Sequence, residues 1–189
     1  MRGLLVVMSG PGGAGEDTLI EMLREHDRGL AHPVSYTTRP RRDDEVDGEH
    51  YRFVDETDFR RLDAEGELLE HARVNGHLYG TPAGRVSEAL AAGRDVVLEL
   101  DVGGAEQVRR RRPDALLICI EAPAMGPRRR LAGVEAADAP PCDHVVVNED
   151  ARRAAAEIRR ILERERGRAG CACGSPPSQP SHAQPEGAG

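Results

Sequence analysis

Eight residues between positions 35 and 101 carry hydroxyl, guanidinium or carboxyl groups that could together hold a phosphorylated ligand. They are Ser35, Arg39, Arg42, Tyr51, Glu70, Tyr79, Thr81 and Asp101. A guanidinium fork binds phosphate through two parallel hydrogen bonds, and tyrosine hydroxyls can add to them. A carboxylate presents two acceptors, which suit two adjacent donors such as the ring N–H and amino group of guanine. These residue types predict a site for a phosphate and a base.

A glycine-rich loop follows the first apolar run of the chain. Its sequence is GPGGAGED, over residues 10–17, and its glycines are Gly10, Gly12, Gly13 and Gly15. A phosphate-binding P-loop reads G-x-x-x-x-G-K-[ST]. Gly10 and Gly15 have this spacing, but Glu16 stands in place of the Lys and Asp17 in place of the Ser or Thr. The loop predicts a degenerate anion site, with Thr18 as a neighbouring hydroxyl.

Two interpretations of Glu16 and Asp17 stay open. Acidic residues are favoured at the positive end of a helix, so the pair could occupy the N-terminus of its own helix in a loop that no longer holds phosphate. Alternatively, the two carboxylates are catalytic, as a general base or as ligands of Mg²⁺.

The elements that must position these residues follow from the apolar pattern. Continuous apolar runs predict buried strands at residues 4–8, 96–102, 115–123 and 144–150. Between and after them, helical patterns occur at residues 17–26, 56–65, 81–95, 104–112 and 151–167, the third beginning with Thr81 as its N-cap. Strands that alternate with helices predict an α/β fold, with a parallel sheet of the P-loop type flanked by helices. Short strands at about 34–82 predict a small second subdomain.

Composition limits the remaining possibilities. The chain has 189 residues and a net charge of -7, which argues against a general nucleic-acid binder. No apolar run approaches the ~18 residues of a membrane span. The N-terminus lacks the pattern of a signal peptide, which predicts a cytoplasmic protein. Residues 167–189 are rich in Gly, Pro, Ser and Ala and predict a disordered tail after a domain at 1–166.

The four cysteines give weaker signals. Cys119 lies in an apolar run and is predicted to behave as a small buried hydrophobic residue. Cys171 and Cys173 form a C-x-C pair in the tail, either incidental or part of a metal site.

Several motifs, in order along the chain, resemble those of the guanylate kinase family. The stretch SYTTRPRR at 35–42 followed by GEHYRF at 48–53 is similar to the family's GMP-binding signature. LLEHA at 68–72, YGT at 79–81, ELDVGGA at 99–105, in which Glu99 stands in place of an Asp, and VVNED at 146–150 are similar to later motifs. The resemblance implies that Ser35, Arg39, Arg42, Tyr51 and Tyr79 hold the GMP phosphate. It also implies that Glu70, Thr81 and Asp101 read the guanine, and that the second subdomain binds GMP.

Departures from the family lie on the side of the phosphate donor. Glu16 and Asp17 replace the residues that would bind ATP and Mg²⁺, and much of the arginine-rich LID segment is absent after RRRL at 128–131. The sequence therefore predicts a GMP-binding protein without ordinary ATP-dependent kinase activity, repurposed for other chemistry on a guanine nucleotide. ATP binding is in doubt, and Mg²⁺ is allowed. Two alternatives stay open: a slow but active guanylate kinase, and a non-catalytic GMP sensor or interaction module. The oligomeric state is open too.

Overall fold

The structure, a computed structural model, describes residues 3–122 and 142–171. In chain order its strands are β1 (Leu5–Ser9), β2 (Tyr36–Thr37), β3 (Arg52–Phe53), β4 (Leu68–Val74), β5 (His77–Pro82), β6 (Val96–Glu99), β7 (Leu116–Glu121) and β8 (His144–Val147). Its helices are α1 (Glu16–His26), α2 (Glu56–Ala64), α3 (Ala83–Ala91), α4 (Val102–Arg111) and α5 (Ala151–Cys171).

Four strands form a parallel sheet in the order β6-β1-β7-β8. Every residue of β1 is buried, because helices cover both faces of the strand. Val6 and Met8 pack against α1 and α5 on one face, whereas Val7 packs against α3 and α4 on the other. This α/β arrangement confirms the predicted fold, and it brings the ends of β1 and β6 together at one edge, where β1 leads into the glycine-rich loop.

The remaining strands form a second sheet in the order β3-β2-β5-β4. β4 and β5 are an antiparallel hairpin, and β2 joins β5 on the hairpin's other side. Phe59 and Leu62 of α2 pack with Leu68 of β4 into a small core of their own. Glu70, Tyr79 and Thr81 lie on this sheet, whereas Ser35, Arg39, Arg42 and Tyr51 lie in the segments next to β2 and β3.

Arg166, near the end of α5, links this helix to the segment before β6 and to the segment after α1. Arg166 Nε donates to Asp95 Oδ2 at 2.6 Å, ahead of β6, and its Nη2 donates to Asp27 Oδ2 at 2.7 Å, after α1. Asp95 is buried and also accepts from the backbone N–H of Leu4 at 2.7 Å. The hydrogen bond from Arg166 is the main cause of the lowered pKa of Asp27.

Three local predictions were wrong. Thr81 is not a helix cap: it belongs to β5, and Pro82 is the N-cap of α3. α5 continues to Cys171, so residues 167–171 are helical although their composition resembles that of the tail. Cys119 is bonded to Cys142 in a disulfide with a Cα–Cα distance of 5.8 Å. The pairing was missed because 23 positions separate the two cysteines, and β7 and β8 become neighbours only in the sheet.

Two predictions lie partly or wholly outside the described residues: the shortened LID segment, and the part of the tail that includes Cys173. Within the described ranges, none of the helices combines the length and the apolar composition that crossing a membrane requires.

Candidate functional site

Arg39 and Glu45 form an ion pair in the segment between β2 and β3. Arg39 Nη1 donates to Glu45 Oε2 at 2.9 Å, and Arg39 Nη2 donates to Glu45 Oε1 at 2.5 Å, as a bidentate pair. The backbone N–H of Arg42 also donates to Glu45, at 2.8 Å. The hydrogen bonds from Arg39 and Arg42 lower the pKa of Glu45 to about 2. Glu45 therefore stays charged and fixes the orientation of Arg39.

Two tyrosines complete this corner of the site. The Tyr51 and Tyr79 rings lie edge to face with centroids 5.8 Å apart, and Arg39 Cζ lies 5.6 Å from the centroid of Tyr51. Burial raises the pKa of Tyr51, and the charges of Asp17 and Glu99 raise it further. The tyrosine hydroxyl is therefore a hydrogen-bond donor at neutral pH, and the corner lies within electrostatic reach of the glycine-rich loop.

The other two residues predicted for this corner are less constrained. Arg42 is exposed, and its guanidinium makes no hydrogen bond or ion pair within the described residues. Ser35 is half-buried, and its carbonyl oxygen accepts from the backbone N–H of Arg52 at 2.8 Å, which holds this segment against β3. Arg42 therefore has a guanidinium that is available to an anion.

The predicted base-reading residues lie together at the other end of the second sheet. Glu70 is 5% exposed, and Thr81 Oγ1 donates to Glu70 Oε1 at 2.6 Å. Burial raises the pKa of Glu70, and the nearby charge of Asp101 adds to the rise. A Cβ atom at Gly104 would lie 3.0 Å from Glu70 Oε2 and 3.3 Å from Asp101 Oδ1. The absence of a side chain at position 104 therefore leaves room beside both carboxyl groups.

Asp101 has a structural role in addition to its predicted role in reading the base. It is the N-cap of α4, and its Oδ1 accepts from the backbone N–H of Gly104 at 2.7 Å. An N-cap aspartate satisfies a backbone donor that the helix leaves without a partner. The cap fixes Asp101 near Glu70, so only part of its acceptor capacity is left for a ligand.

Glu16 lies inside the glycine-rich loop and not on the surface. It is only 6% exposed, although it is the first residue of α1, after Gly15 with a φ of 88°. Burial raises the pKa of the Glu16 carboxyl, while hydrogen bonds from the backbone N–H groups of Glu16 and Gly15 oppose that rise. A side chain at Gly10 would collide with Glu16 Oε1. The carboxyl is therefore turned back over the loop, onto N–H groups that would otherwise face an anion.

A second pair of carboxyl groups lies next to Glu16. Burial and a side-chain hydrogen bond with Asp17, together with the charges of Asp17 and Glu16, raise the pKa of Glu99 to about 8. Like charges close to a carboxyl group favour its protonated form. The Glu99 carboxyl therefore keeps its proton near pH 7.

The loop is also tied to the far edge of the main sheet. Asn148, which follows β8, donates through Nδ2 to the carbonyl oxygen of Ala14 at 2.7 Å. A Cβ atom at Gly15 would lie 2.7 Å from Asn148 Nδ2, so glycine is needed there for space as well as for its positive φ. The contact therefore fixes the loop between β1 and α1 against the segment that follows β8.

The predicted residues thus fall into three groups. Arg39, Tyr51 and Tyr79 meet at one corner and Glu70, Thr81 and Asp101 at another. Glu16 and Asp17 form the third group, and the charge of Asp17 acts on Tyr51. Thr18 is exposed on α1. No group of three His, Cys, Asp or Glu side chains within residues 3–122 and 142–171 has the arrangement of a metal site.

Three residues were missed by sequence reasoning: Glu45, Glu99 and Asn148. Glu45 stands in a run of acidic residues, where nothing singles out the one that pairs with Arg39. Glu99 is visible in the ELDVGGA motif as a replacement of an Asp, but nothing in the sequence indicates that it lies close to Asp17. Asn148 belongs to the VVNED motif, which resembles a family motif, but the sequence did not indicate a role for Asn148.

Comparison with known proteins places these features in a family. The guanylate kinase family model matches residues 2–165. The guanylate kinase of Symbiobacterium thermophilum is 41% identical over 185 residues, covering 88% of each chain. The guanylate kinase of Rubrobacter xylanophilus is 43% identical, covering 86% of this chain and 95% of its own. The crystal structure of guanylate kinase from Anaplasma phagocytophilum superposes with a TM-score of 0.71 at 33% identity, covering 87% of this chain and 86% of that one.

These similarities contradict the prediction that the chain has lost ordinary kinase activity and been repurposed, and they do not support the doubt about ATP. Relatives named guanylate kinase match over most of both chains, so the similarity includes the donor half as well as the GMP signature. The prediction gave two side chains too much weight. A P-loop binds anions largely through backbone N–H groups at a helix N-terminus, and here too the glycine-rich loop leads directly into the N-terminus of α1.

Proposed function

Because the chain belongs to the guanylate kinase family, we propose that it transfers the γ-phosphoryl group of ATP to GMP and releases ADP and GDP. The observation that carries the proposal is the pairing of a phosphate corner with a buried, base-reading carboxyl group on one sheet. An oxygen of the GMP phosphate bonds to the γ-phosphorus while the bond from that phosphorus to ADP breaks. Catalysis of this kind depends mainly on positioning and on electrostatic stabilisation of the transferred group.

The acceptor half has the groups that GMP needs. Arg39 is already oriented by Glu45, so little side-chain entropy is lost when its remaining donors bind a phosphate. Tyr51 and Tyr79 offer hydroxyl groups from the same corner, and Arg42 and Ser35 complete it. At the other end Glu70, with Thr81 and Asp101, accepts from the guanine edge. A site with buried acceptors rejects a base that lacks the matching donors.

The donor half must accommodate ATP beside carboxyl groups. The chain contains no lysine, so no lysine from elsewhere substitutes for the one in the P-loop pattern. The raised pKa of Glu16 makes its protonated form easier to reach, which lessens repulsion as the phosphates enter. The entering phosphates displace the Glu16 carboxyl from the loop N–H groups and take its place. We expect this exchange to make the reaction slower than in relatives with the lysine.

Mg²⁺ arrives with ATP in this proposal, and the chain offers oxygen atoms of the kind that the ion prefers. Asp17 in the first turn of α1 and Glu99 at the end of β6 would supply them. When bound, the ion neutralises part of the phosphate charge. Glu99 would also hold or release its proton as the charge nearby changes.

The catalytic unit in this proposal is the domain at residues 1–166, with the GMP-binding subdomain at about 34–82, and residues beyond it are not needed for turnover. The second sheet and α2 lie within that subdomain range. All the proposed ligand-binding residues lie between Gly10 and Asp101.

The test is direct. The purified protein is incubated with GMP, ATP and Mg²⁺, and the products are separated by ion-exchange chromatography, with separate reactions that lack ATP or Mg²⁺ or contain AMP in place of GMP. We expect GDP and ADP in equal amounts, only when ATP and Mg²⁺ are both present, and much less product with AMP. GMP binding without GDP formation at any ATP concentration would overturn the proposal.

A further inference from the structure

A cavity of about 620 Å³ has a lining that does not include Arg39, Tyr51 or Tyr79, the three residues of the proposed GMP corner. It is bounded by the end of α1, the segment before β2, strand β3 and helix α3. Its charged lining consists of Arg24, Arg28, Arg52, Arg85, Arg94 and a single carboxylate, Glu88. Five arginines and one glutamate in one concave surface are unusual for a chain whose net charge is -7.

The guanidinium groups of this cavity are largely available to a ligand. Arg24, Arg28 and Arg52 form no ion pair and donate no side-chain hydrogen bond within the described part of the chain. Arg94 donates only to the carbonyl oxygen of Gly29, at 3.1 Å. Arg85 is 3.5 Å from Glu88 and mostly exposed, so that pair is weak. Like charges held close together repel, and an anion placed among them would relieve the repulsion.

The base of the cavity is apolar, in contrast to the arginines around its opening. Leu30 is 4% exposed and Ala31 is 9% exposed, and both line the cavity below the arginines. Pro33, Val34 and Ala89 add further apolar surface. A cavity of roughly 300–1,000 Å³ with apolar walls and a few convergent polar groups is typical of a small-molecule site. The size and concavity favour a small ligand over an extended polymer.

The cavity is separate from the proposed GMP site. Tyr51 and Arg52 are neighbours in the chain at β3, and successive side chains of a strand point to opposite faces. Tyr51 faces Tyr79 and Arg39, whereas Arg52 Cζ lies 6.0 Å from the ring centroid of Tyr36 and lines the cavity. A ligand held by Arg52 would thus sit behind the strand that carries one of the GMP-corner tyrosines.

We propose that this cavity is a second anion site, which binds a small molecule carrying several phosphate groups. The arginine forks bind the phosphates, and the apolar floor receives the uncharged part of the molecule. The ligand contacts α1 and α3 of the main layer and β3 of the second sheet together, so its binding is coupled to the position of Tyr51. Such coupling is reciprocal: GMP and the anion change each other's affinity by the same factor.

The test measures binding and not turnover, so its result is independent of whether the chain phosphorylates GMP. Inorganic tripolyphosphate and inositol hexakisphosphate are titrated separately by calorimetry, because one carries its phosphates in a chain and the other around a ring. The test variant is R24E/R28E, which reverses the charge of Arg24 in the last turn of α1 and of Arg28 in the turn that follows the helix. The matched control is R160E/R164E, which makes the same change at two exposed arginines of α5 without ion pairs in the described residues.

We expect R24E/R28E to weaken binding of the better probe at least tenfold, while R160E/R164E and the GMP-corner variant R39A leave it within twofold. If R24E/R28E does not fold, R24Q/R28Q should give a smaller loss in the same direction. The proposal is overturned if neither probe binds, if both charge-reversal pairs weaken binding equally, or if R39A abolishes it. The last result would place the probe in the GMP corner.

Discussion

The GMP corner and the glycine-rich loop are built on opposite electrostatic principles. In the corner, Arg39 and Glu45 satisfy each other, and the pKa of Glu45 falls to about 2. In the loop, Glu16, Asp17 and Glu99 crowd like charges together, and the pKa of Glu99 rises to about 8. The corner is organised before any ligand arrives, whereas the loop must give up a contact with its own carboxyl group to admit one.

Because of this difference, the corner and the loop convert the interaction energy of a ligand into affinity to different extents. A ligand that enters a pre-organised corner keeps most of the interaction energy as affinity. A ligand that enters the loop must first displace Glu16 from the backbone N–H groups of Gly15 and Glu16. The same backbone geometry can therefore give tight binding of the acceptor and weaker binding of the donor.

The largest expected effect comes from breaking the corner. Arg39→Ala should weaken GMP binding by roughly 100-fold or more, because two charge-assisted hydrogen bonds to the phosphate are lost. Guanosine has no phosphate, so its binding should hardly change. The measurement is calorimetry with both ligands, and Arg41→Ala is the matched control, since Arg41 donates only to the carbonyl oxygen of Glu45. Equal losses for GMP and guanosine would contradict the phosphate assignment.

The base-reading end should show the next largest effect. Glu70→Gln replaces one acceptor oxygen with a donor, and the mismatch should reduce the preference for GMP over AMP by roughly 30-fold. Binding constants for both nucleotides give the ratio directly. Glu67→Gln, at an exposed position nearby, serves as the control and should leave the ratio unchanged. An unchanged ratio in Glu70→Gln would remove Glu70 from the site.

A substitution that relieves the electrostatic repulsion in the loop should strengthen ATP binding. Glu16→Lys exchanges a like charge for an opposite one and should raise the affinity for ATP with Mg²⁺ about tenfold, while GMP affinity stays the same. Glu21→Lys makes the same charge change at an exposed position of α1 and controls for net charge. ATP affinity that rises equally in both variants would show that only the overall charge matters.

The smallest expected effect is on the pH dependence of stability. Folding raises the pKa of Glu99, so the folded state binds a proton more tightly than the unfolded chain and loses stability as pH rises from about 4.5 through about 8. In Glu99→Gln that contribution is absent, so its melting temperature should fall less between pH 5 and pH 8 than that of the wild type. Glu157→Gln, exposed on α5, is the control. Parallel curves for the wild type and Glu99→Gln would contradict the raised pKa.

The sequence predicted the elements well because their signals are local. The apolar runs that became β1, β6, β7 and β8 are short and bounded by turn residues, and α2 stops near Gly66 as the pattern indicated. Thr81 misled because its hydroxyl suits both a helix cap and a buried strand. The pattern before Pro82 cannot tell whether the preceding residue pairs with β4, which is a long-range contact.

The features of the site also divide into those with local sequence signals and those that depend on long-range contacts. Residue types and spacing predicted which side chains of the second sheet gather, because the motifs there are dense. They did not predict that Glu16 folds back over Gly10 or that Asp17 meets Glu99, since both depend on how β6 lies beside β1. Sequence reasoning therefore identified the unusual residues of the loop correctly but drew the wrong functional conclusion from them.

Arg166 sets a boundary for shortening the protein from its C-terminal end. A chain that ends at Arg168 keeps the hydrogen bonds of Arg166 with Asp95 and Asp27. A chain that ends at Arg164 lacks Arg166, so the buried carboxylate of Asp95 loses its guanidinium partner. A buried charge that loses its partner is far more destabilising than the removal of exposed helix. Progressive truncation should therefore be tolerated residue by residue until Arg166 is reached and should then fail abruptly, although α5 itself would still be many turns long.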